Sequence, residues 1–190
     1  MIDRFSDIKE FVVEYFFSRL PDGLYYHNLE HTLDVLEASQ RIGSAEGLNF
    51  SDLHLLKVAA LFHDVGFVDS YENNEHLGAK YAAQYLPSHG YTKQQINQVK
   101  SAILATNLHI PPKSIFEKVL CDADLDYLGR DDFNHRSQLL FQELKKWGKI
   151  ESDNEWNEIQ KIFLAKDHYF TDYSKRFREP EVKKRLNELR

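Results

Sequence analysis

The chain is predicted to fold as an all-α bundle with an irregular arrangement of helices. Apolar residues recur three and four positions apart through almost every segment, and no run shows the alternation of a half-buried strand. Caps followed by Gly or Pro breaks divide the sequence into short blocks, the punctuation of helices joined by turns.

Ser6 or Asp7 is placed to cap a first helix, with Ile8, Phe11, Val12, Tyr15 and Phe16 on one side and the turn Pro21-Asp22-Gly23 after it. A second helix begins near Asn28, carries Leu29, Leu33, Leu36 and Ile42, and loosens at Gly43 and Gly47. Ser51 is expected to cap a third helix from Asp52 to about Asp64, with Gly66 as its stop. An acidic and aromatic loop spans Phe67 to Glu72. A fourth helix then runs from about Asn73 to Tyr85 and ends near Pro87 and Gly90. Thr92 and Gln95 have capping-box spacing for a fifth helix through Ile96, Val99, Ile103 and Leu104. Pro111-Pro112 breaks the chain before a sixth helix, which passes Ile115, Val119 and Leu120 to reach Asp124 and is closed by Gly129. The rest reads as three helices, roughly Asp131 to Trp147, Asp153 to Lys166 and Tyr173 to the end, with Pro180 starting or kinking the last. No repeat, low-complexity tract or long linker divides residues 1–190, so one domain is expected.

An apolar fraction of 42% beside 28% charged residues describes a globular chain with a core, not a disordered one. A net charge of −6 with no basic cluster disfavours a nucleic-acid polymer as partner, although single Lys or Arg side chains can still hold one phosphate. Cys121 is the one cysteine, which precludes an intramolecular disulfide, and its apolar helical context suits a small core residue. Met1 to Asp7 is too polar for a signal peptide and no apolar run reaches membrane-spanning length, so the cytoplasm is the expected compartment and no membrane partner is expected. A homodimer is left open.

Chemistry concentrates around Leu61-Phe62-His63-Asp64-Val65-Gly66-Phe67. An imidazole and a carboxylate side by side at a helix end are good ligands for a divalent ion. His27 and His31 lie four apart, on one helical face if the second helix has begun. Asp122, Asp124 and Asp126 crowd the end of the sixth helix. Ligands so far apart in sequence come from different helices, as in bundle-core metal sites. Two imidazoles and two carboxylates would balance one divalent ion and leave octahedral positions for water and substrate oxygen, which is the open type of site that catalysis uses. Asp69, Glu72 and Glu75 follow His63-Asp64 and are candidates for moving the proton in a hydrolysis. Lys80, Lys113, Arg130 and Arg136 are candidates for pairing with phosphate oxygens. His54, His89 and His135 read as surface residues, and His168 reads as packed in an aromatic cluster.

Five short motifs occur in order between about residues 25 and 130: Tyr26-His27-Asn28 with His31, Phe62-His63-Asp64, Asn74-Glu75 with Gly78-Ala79, Ala105-Thr106 with His109, and Asp122-Ala123-Asp124-Leu125 with Leu128-Gly129. Together they resemble the HD-domain superfamily of metal-dependent phosphohydrolases, in a predicted-phosphohydrolase branch. The resemblance implies an HD-type helical bundle in which His31, His63, Asp64 and Asp124 bind metal. It selects Asp124 as the last ligand, and Asp122 and Asp126 are then left for capping or solvent, with orientation of a ligand as the alternative for Asp122. It favours Glu75 for the proton. His27, Thr106, His109, Lys80 and Arg130 are assigned to substrate binding. The implied cofactor is a divalent ion (Mn, Ni, Zn, Fe, Co or Mg), one per chain. Two ions become the alternative if His76 and His109 also ligate. The expected activity is hydrolysis of a small phosphorylated substrate, such as a nucleotide, by water activated on the metal. The alternatives are a di-iron oxygenase on the same scaffold and a regulatory module that binds a nucleotide without turnover. Residues after about Asp131 carry no readable motif.

Overall fold

The computed structural model describes residues 4–189, and its regular structure among those residues is helical throughout. Ten α-helices follow one another: α1 (Arg4–Arg19), α2 (Leu29–Ala45), α3 (Phe50–Phe62), α4 (Asn74–Tyr85), α5 (Lys93–Ala105), α6 (Ile115–Asp124), α7 (Phe133–Lys146), α8 (Asp153–Leu164), α9 (Asp172–Phe177) and α10 (Glu179–Glu188). Short 3-10 turns lie at Val65–Val68, Leu86–His89 and Asp126–Gly129.

α3 explains the layout. From Leu55 to Phe62 all its residues but Lys57 are buried, and a helix apolar on every side must be surrounded. Accordingly α1, α2, α4, α5 and α6 all touch it. Ile8, Val12 and Phe16 of α1 and Val99, Ala102 and Ile103 of α5 complete this core. A second, smaller cluster joins Tyr26 and Leu128 to Phe133, Leu164 and Val182 of α7, α8 and α10. Cys121 is buried and its thiol meets the Ala105 carbonyl, as expected of a core residue.

Several caps differ from the sequence expectation. Asn49, not Ser51, caps α3 by accepting from the Asp52 amide at 3.0 Å. Ser6 and Asp7 fall inside α1, which already runs from Arg4. Gly66 is no left-handed stop. It lies in the 3-10 turn after α3, where a Cβ would stand 2.0 Å from the Asn74 carbonyl oxygen, so the residue is small to let two backbones meet. The Thr92 capping box forms as read, and Ser114 with Glu117 makes a second one for α6. The last predicted helix is two: α9 ends at Phe177, and α10 begins with Pro180 in its first turn, where a missing amide proton costs nothing.

Two aspartates staple the C-terminal segment to α6. Asp122 is buried and accepts from the Phe170 and Thr171 amides at 2.9 Å and from the Thr171 hydroxyl at 2.6 Å. Asp126 is buried among Arg41 at 2.6 Å, Arg178 at 2.7 Å and Arg130 at 3.5 Å. Solvent exposure, expected for both, and ligand orientation, the alternative for Asp122, are therefore not what they do. They fix the C-terminal helices against the motif-bearing half. Removing the arginines around Asp126 would strand a buried charge, at about 3–5 kcal/mol.

Candidate metal centre

Three helix ends converge beside the core. His31 is the third residue of α2, which Asn28 caps by accepting from the Glu30 and His31 amides. His63 and Asp64 follow the last residue of α3, and Asp124 is the last residue of α6. Two of these ends are C-terminal, where the helix dipole favours a cation.

Four atoms meet there. His31 Nε2 lies 3.1 Å from Asp124 Oδ1 and 3.3 Å from Asp64 Oδ2. His63 Nε2 lies 3.2 Å from Asp64 Oδ2, 3.6 Å from Asp124 Oδ1 and 3.4 Å from His31 Nε2. Ligands bonded at about 2.1 Å to one shared ion stand apart by such distances. His63 Nδ1 donates to the Ala60 carbonyl at 2.7 Å, which fixes the tautomer and leaves Nε2 for the shared point. Asp64 Oδ2 is buried without a well-directed hydrogen bond, the condition of an oxygen that expects a metal. The donor set of two imidazoles and two carboxylates fits a divalent first-row ion.

Burial alone would lower both imidazole pKa values and raise both carboxyl ones. The mutual hydrogen bonds and charges win: His31 and His63 are raised, while Asp64 and Asp124 are lowered. A cluster that holds protons in this way exchanges them for a cation.

The centre opens on a cavity of about 380 Å³ whose wall includes His27, Asp64, Glu75, Thr106, His109 and Asp124. Glu75, in the first turn of α4, is half-buried there. The Thr106 hydroxyl is already spent on the Ile103 carbonyl at 2.8 Å. The other candidates lie elsewhere. Asp69 is exposed and accepts from Tyr15 and Tyr81, and Glu72 pairs with Lys149 at 2.8 Å on the surface. Lys80, Lys113 and His76 are exposed and outside the cavity wall. Arg130 is engaged by Asp34 at 2.7 Å and by Asp132, and Arg136 by Glu30 at 3.0 Å. Neither guanidinium lines the cavity. No Lys or Arg lines this cavity, and the imidazoles of His27 and His109 do. His168 is packed, stacking on Phe163 with ring centroids 4.1 Å apart.

Sequence reading missed Glu143. Fully buried on α7, it accepts from the Tyr26 amide at 2.8 Å, the His27 amide at 3.0 Å, the Tyr71 hydroxyl at 3.0 Å and His27 Nδ1. Its carboxyl sits below the usual range because these donors, His27 foremost, outweigh the opposing effect of burial. His27 is thereby fixed, stacked on Phe67 with centroids 4.0 Å apart. Trp147 Nε1 donates to the Gly23 carbonyl at 3.2 Å, so the end of α7 holds the loop that leads into α2. The signal was present: Glu143 has Leu139 and Leu140 one turn before it and Trp147 one turn after.

Fold and site together define an α-helical domain in which His31, His63, Asp64 and Asp124 meet at the junction of three helix ends, and the donor atoms of His31, His63 and Asp124 are close enough together to hold a metal ion. The HD domain family model matches residues 28–126, just over half of the chain, and the chain belongs to that family. Among solved structures, a predicted HD superfamily hydrolase from an uncultured Thermotogales bacterium is similar, with a TM-score of 0.65 and 22% identity over 97% of this chain and 88% of that one. Its fold is shared along nearly the whole length, including the C-terminal helices beyond the family match. No curated protein matches the sequence. Among the described residues, no helix is long and apolar enough to cross a membrane.

Proposed function

We propose that the chain is a metal-dependent phosphohydrolase acting on a small phosphoester, with nucleotides among the candidate substrates. The observation that supports this best is the meeting of His31, His63, Asp64 and Asp124 donor atoms within 3.1–3.6 Å of their neighbours at the wall of a cavity. These four residues would hold the ion. A divalent ion there supplies Lewis acidity toward a phosphoryl oxygen and makes water a nucleophile near neutral pH.

The chain's own residues supply the rest. Glu75 faces the cavity from a helix start and is the carboxylate placed to take a proton from the attacking water. His27, fixed through Nδ1 by Glu143, offers Nε2 as its remaining polar atom to a phosphoryl oxygen. Apolar neighbours such as Phe67 and Tyr26 limit water around these groups, which strengthens each electrostatic contact.

Elemental analysis beside a His63→Ala control tests the reading. One transition metal per chain, lost in the control and accompanied by phosphoester turnover, is the expected result. Two irons per chain with visible absorption would instead indicate an oxygenase. A nucleotide that raises the melting temperature without product release would indicate a binding module.

A further inference from the structure

The cavity at the metal centre has a second end that the phosphoryl chemistry does not use. Besides Asp64, Asp124 and His27 its wall includes Phe133, Leu140 and Leu144 of α7 and Trp156, Ile159 and Phe163 of α8, and these apolar residues form its other arm. Within that arm the polar side chains on the two helices are Ser137 and Gln160, and they hydrogen-bond to each other. No Lys or Arg lines any part of this cavity. A second cavity of about 390 Å³ shares Thr106, Asn107, His109 and Asp124 with it, and there Lys166 contributes to the wall.

Each alternative occupant can be weighed against these walls. A nucleoside triphosphate carries several charges beyond the one a metal centre neutralises, and the arm has no cation to meet them. A nucleoside also brings several ribose hydroxyls and base polar atoms, which lose their water in an apolar slot where α7 and α8 offer only Ser137 and Gln160, already bonded to each other. An alkyl, prenyl or aryl group loses nothing by entering and gains from each buried methylene. The arm is also continuous with the metal centre, so an ester spanning both keeps its phosphoryl group at the ion.

We propose that the organic part of the substrate is apolar: the site takes phosphate monoesters of hydrophobic alcohols, whose carbon chain or ring lies between α7 and α8. This rests on the phosphohydrolase reading and narrows it. The reaction is ordinary hydrolysis, in which water forms the new P–O bond, the ester P–O bond breaks, and the alcohol leaves with one proton.

The test uses the full chain loaded with Mn²⁺. Turnover is measured on alkyl phosphates of increasing chain length, geranyl monophosphate, and nucleoside mono- and triphosphates. Binding of non-hydrolysable alkylphosphonates is followed by calorimetry. The expected result is a gain of about fourfold in affinity and kcat/KM for each added methylene until the arm is full. Nucleotides should do no better than the shortest esters. Ile159→Asp, at an exposed position (39%) on the cavity wall, should flatten the chain-length dependence while circular dichroism shows an intact fold. A flat alkyl series with nucleoside monophosphates preferred would overturn the proposal and leave the phosphohydrolase reading standing. An unaltered slope in Ile159→Asp would also overturn it, because the chain would then lie elsewhere. Binding that rises with chain length without turnover of any ester by the metal-loaded protein would sink the phosphohydrolase reading and keep the apolar arm.

Discussion

Glu143→Gln is the most informative single change, because it keeps volume and removes one charge. In the native protein one carboxylate oxygen takes the Tyr26 and His27 amides and the other takes the Tyr71 hydroxyl and His27 Nδ1. A glutamine can still offer an oxygen to the two amides. Its NH₂ then faces the imidazole and the phenol, so both must turn from donating to accepting. A hydrogen bond to a charged group contributes about 1.5–3 kcal/mol, and the imidazole keeps a neutral substitute, so a net loss of about 2 kcal/mol is expected. For a chain of this length that lowers the melting temperature by about 4–8 °C. The pH dependence gives an independent check. A carboxyl whose folded pKa is depressed stabilises the fold above its unfolded value and loses that contribution as pH falls through the folded one. The gap between native protein and variant should therefore be full at neutral pH and close in acid. Urea melts at pH 7 and at a series of pH values descending below the ordinary glutamate range, with unchanged m-values, provide the assay. Equal midpoints at pH 7 would refute the claim that this carboxylate anchors the segment preceding α2. The flipped tautomer of His27 should also raise KM for any ester the protein cleaves.

Three other outcomes follow from the site. Asp64→Ala should retain the helical circular dichroism and bind no metal, and the increase in melting temperature given by saturating Mn²⁺ (about 2.7 kcal/mol at a hundredfold excess over Kd) should vanish; full occupancy in the variant would show that the ligand set is wrong. Glu75→Gln should keep its metal and lose turnover by about 10²–10⁴-fold, whereas Asp69→Asn should turn over normally, since Asp69 serves Tyr15 and Tyr81 outside the cavity. Metal affinity should climb with pH. The two imidazoles hold protons above their ordinary value, so ion binding must expel protons below that raised range and needs none expelled above it. Isothermal titration in buffers of different ionisation enthalpy counts those protons, and a count of zero at about pH 6 would contradict the raised values.

Residues 25 to 130 were largely legible because their signals are local. Periodicity located α2 to α6, and the Thr92–Gln95 box formed as its spacing implied. His31, His63, Asp64 and Asp124 came together from three helix ends. Where two residues could do the same local job, the sequence could not choose. Asn49 and Ser51 are both good caps, and the turn of the backbone decided between them. Long-range partners were the larger gap. Asp122 and Asp126 look like any acidic helix end until residues about fifty positions later arrive to satisfy them. Arg130 looked available for phosphate although Asp126 and Asp132 lie beside it in sequence, and the third carboxylate, Asp34, reaches it only across the fold. The C-terminal third was silent for the same reason: Glu143 of α7 gains its role only when Tyr26, His27 and Tyr71 fold against it, and the apolar residues of α7 and α8 gain theirs by lining the cavity.

Gly78 lies on α4 with the backbone of α3 close against it. A Cβ there would stand 2.4 Å from the Phe62 carbonyl oxygen and 3.0 Å from that of His63. The spacing between α4 and the His63-Asp64 pair is thus as small as two polypeptide backbones permit. It works as a mechanical stop: the fourth helix is a rigid gauge block against which the ligand-bearing end of the third is seated. The bite of the metal pocket is machined from behind, by a residue with no side chain to offer the ion. Thickening that block by one methyl would displace His63 and Asp64 while leaving every ligand in the sequence intact.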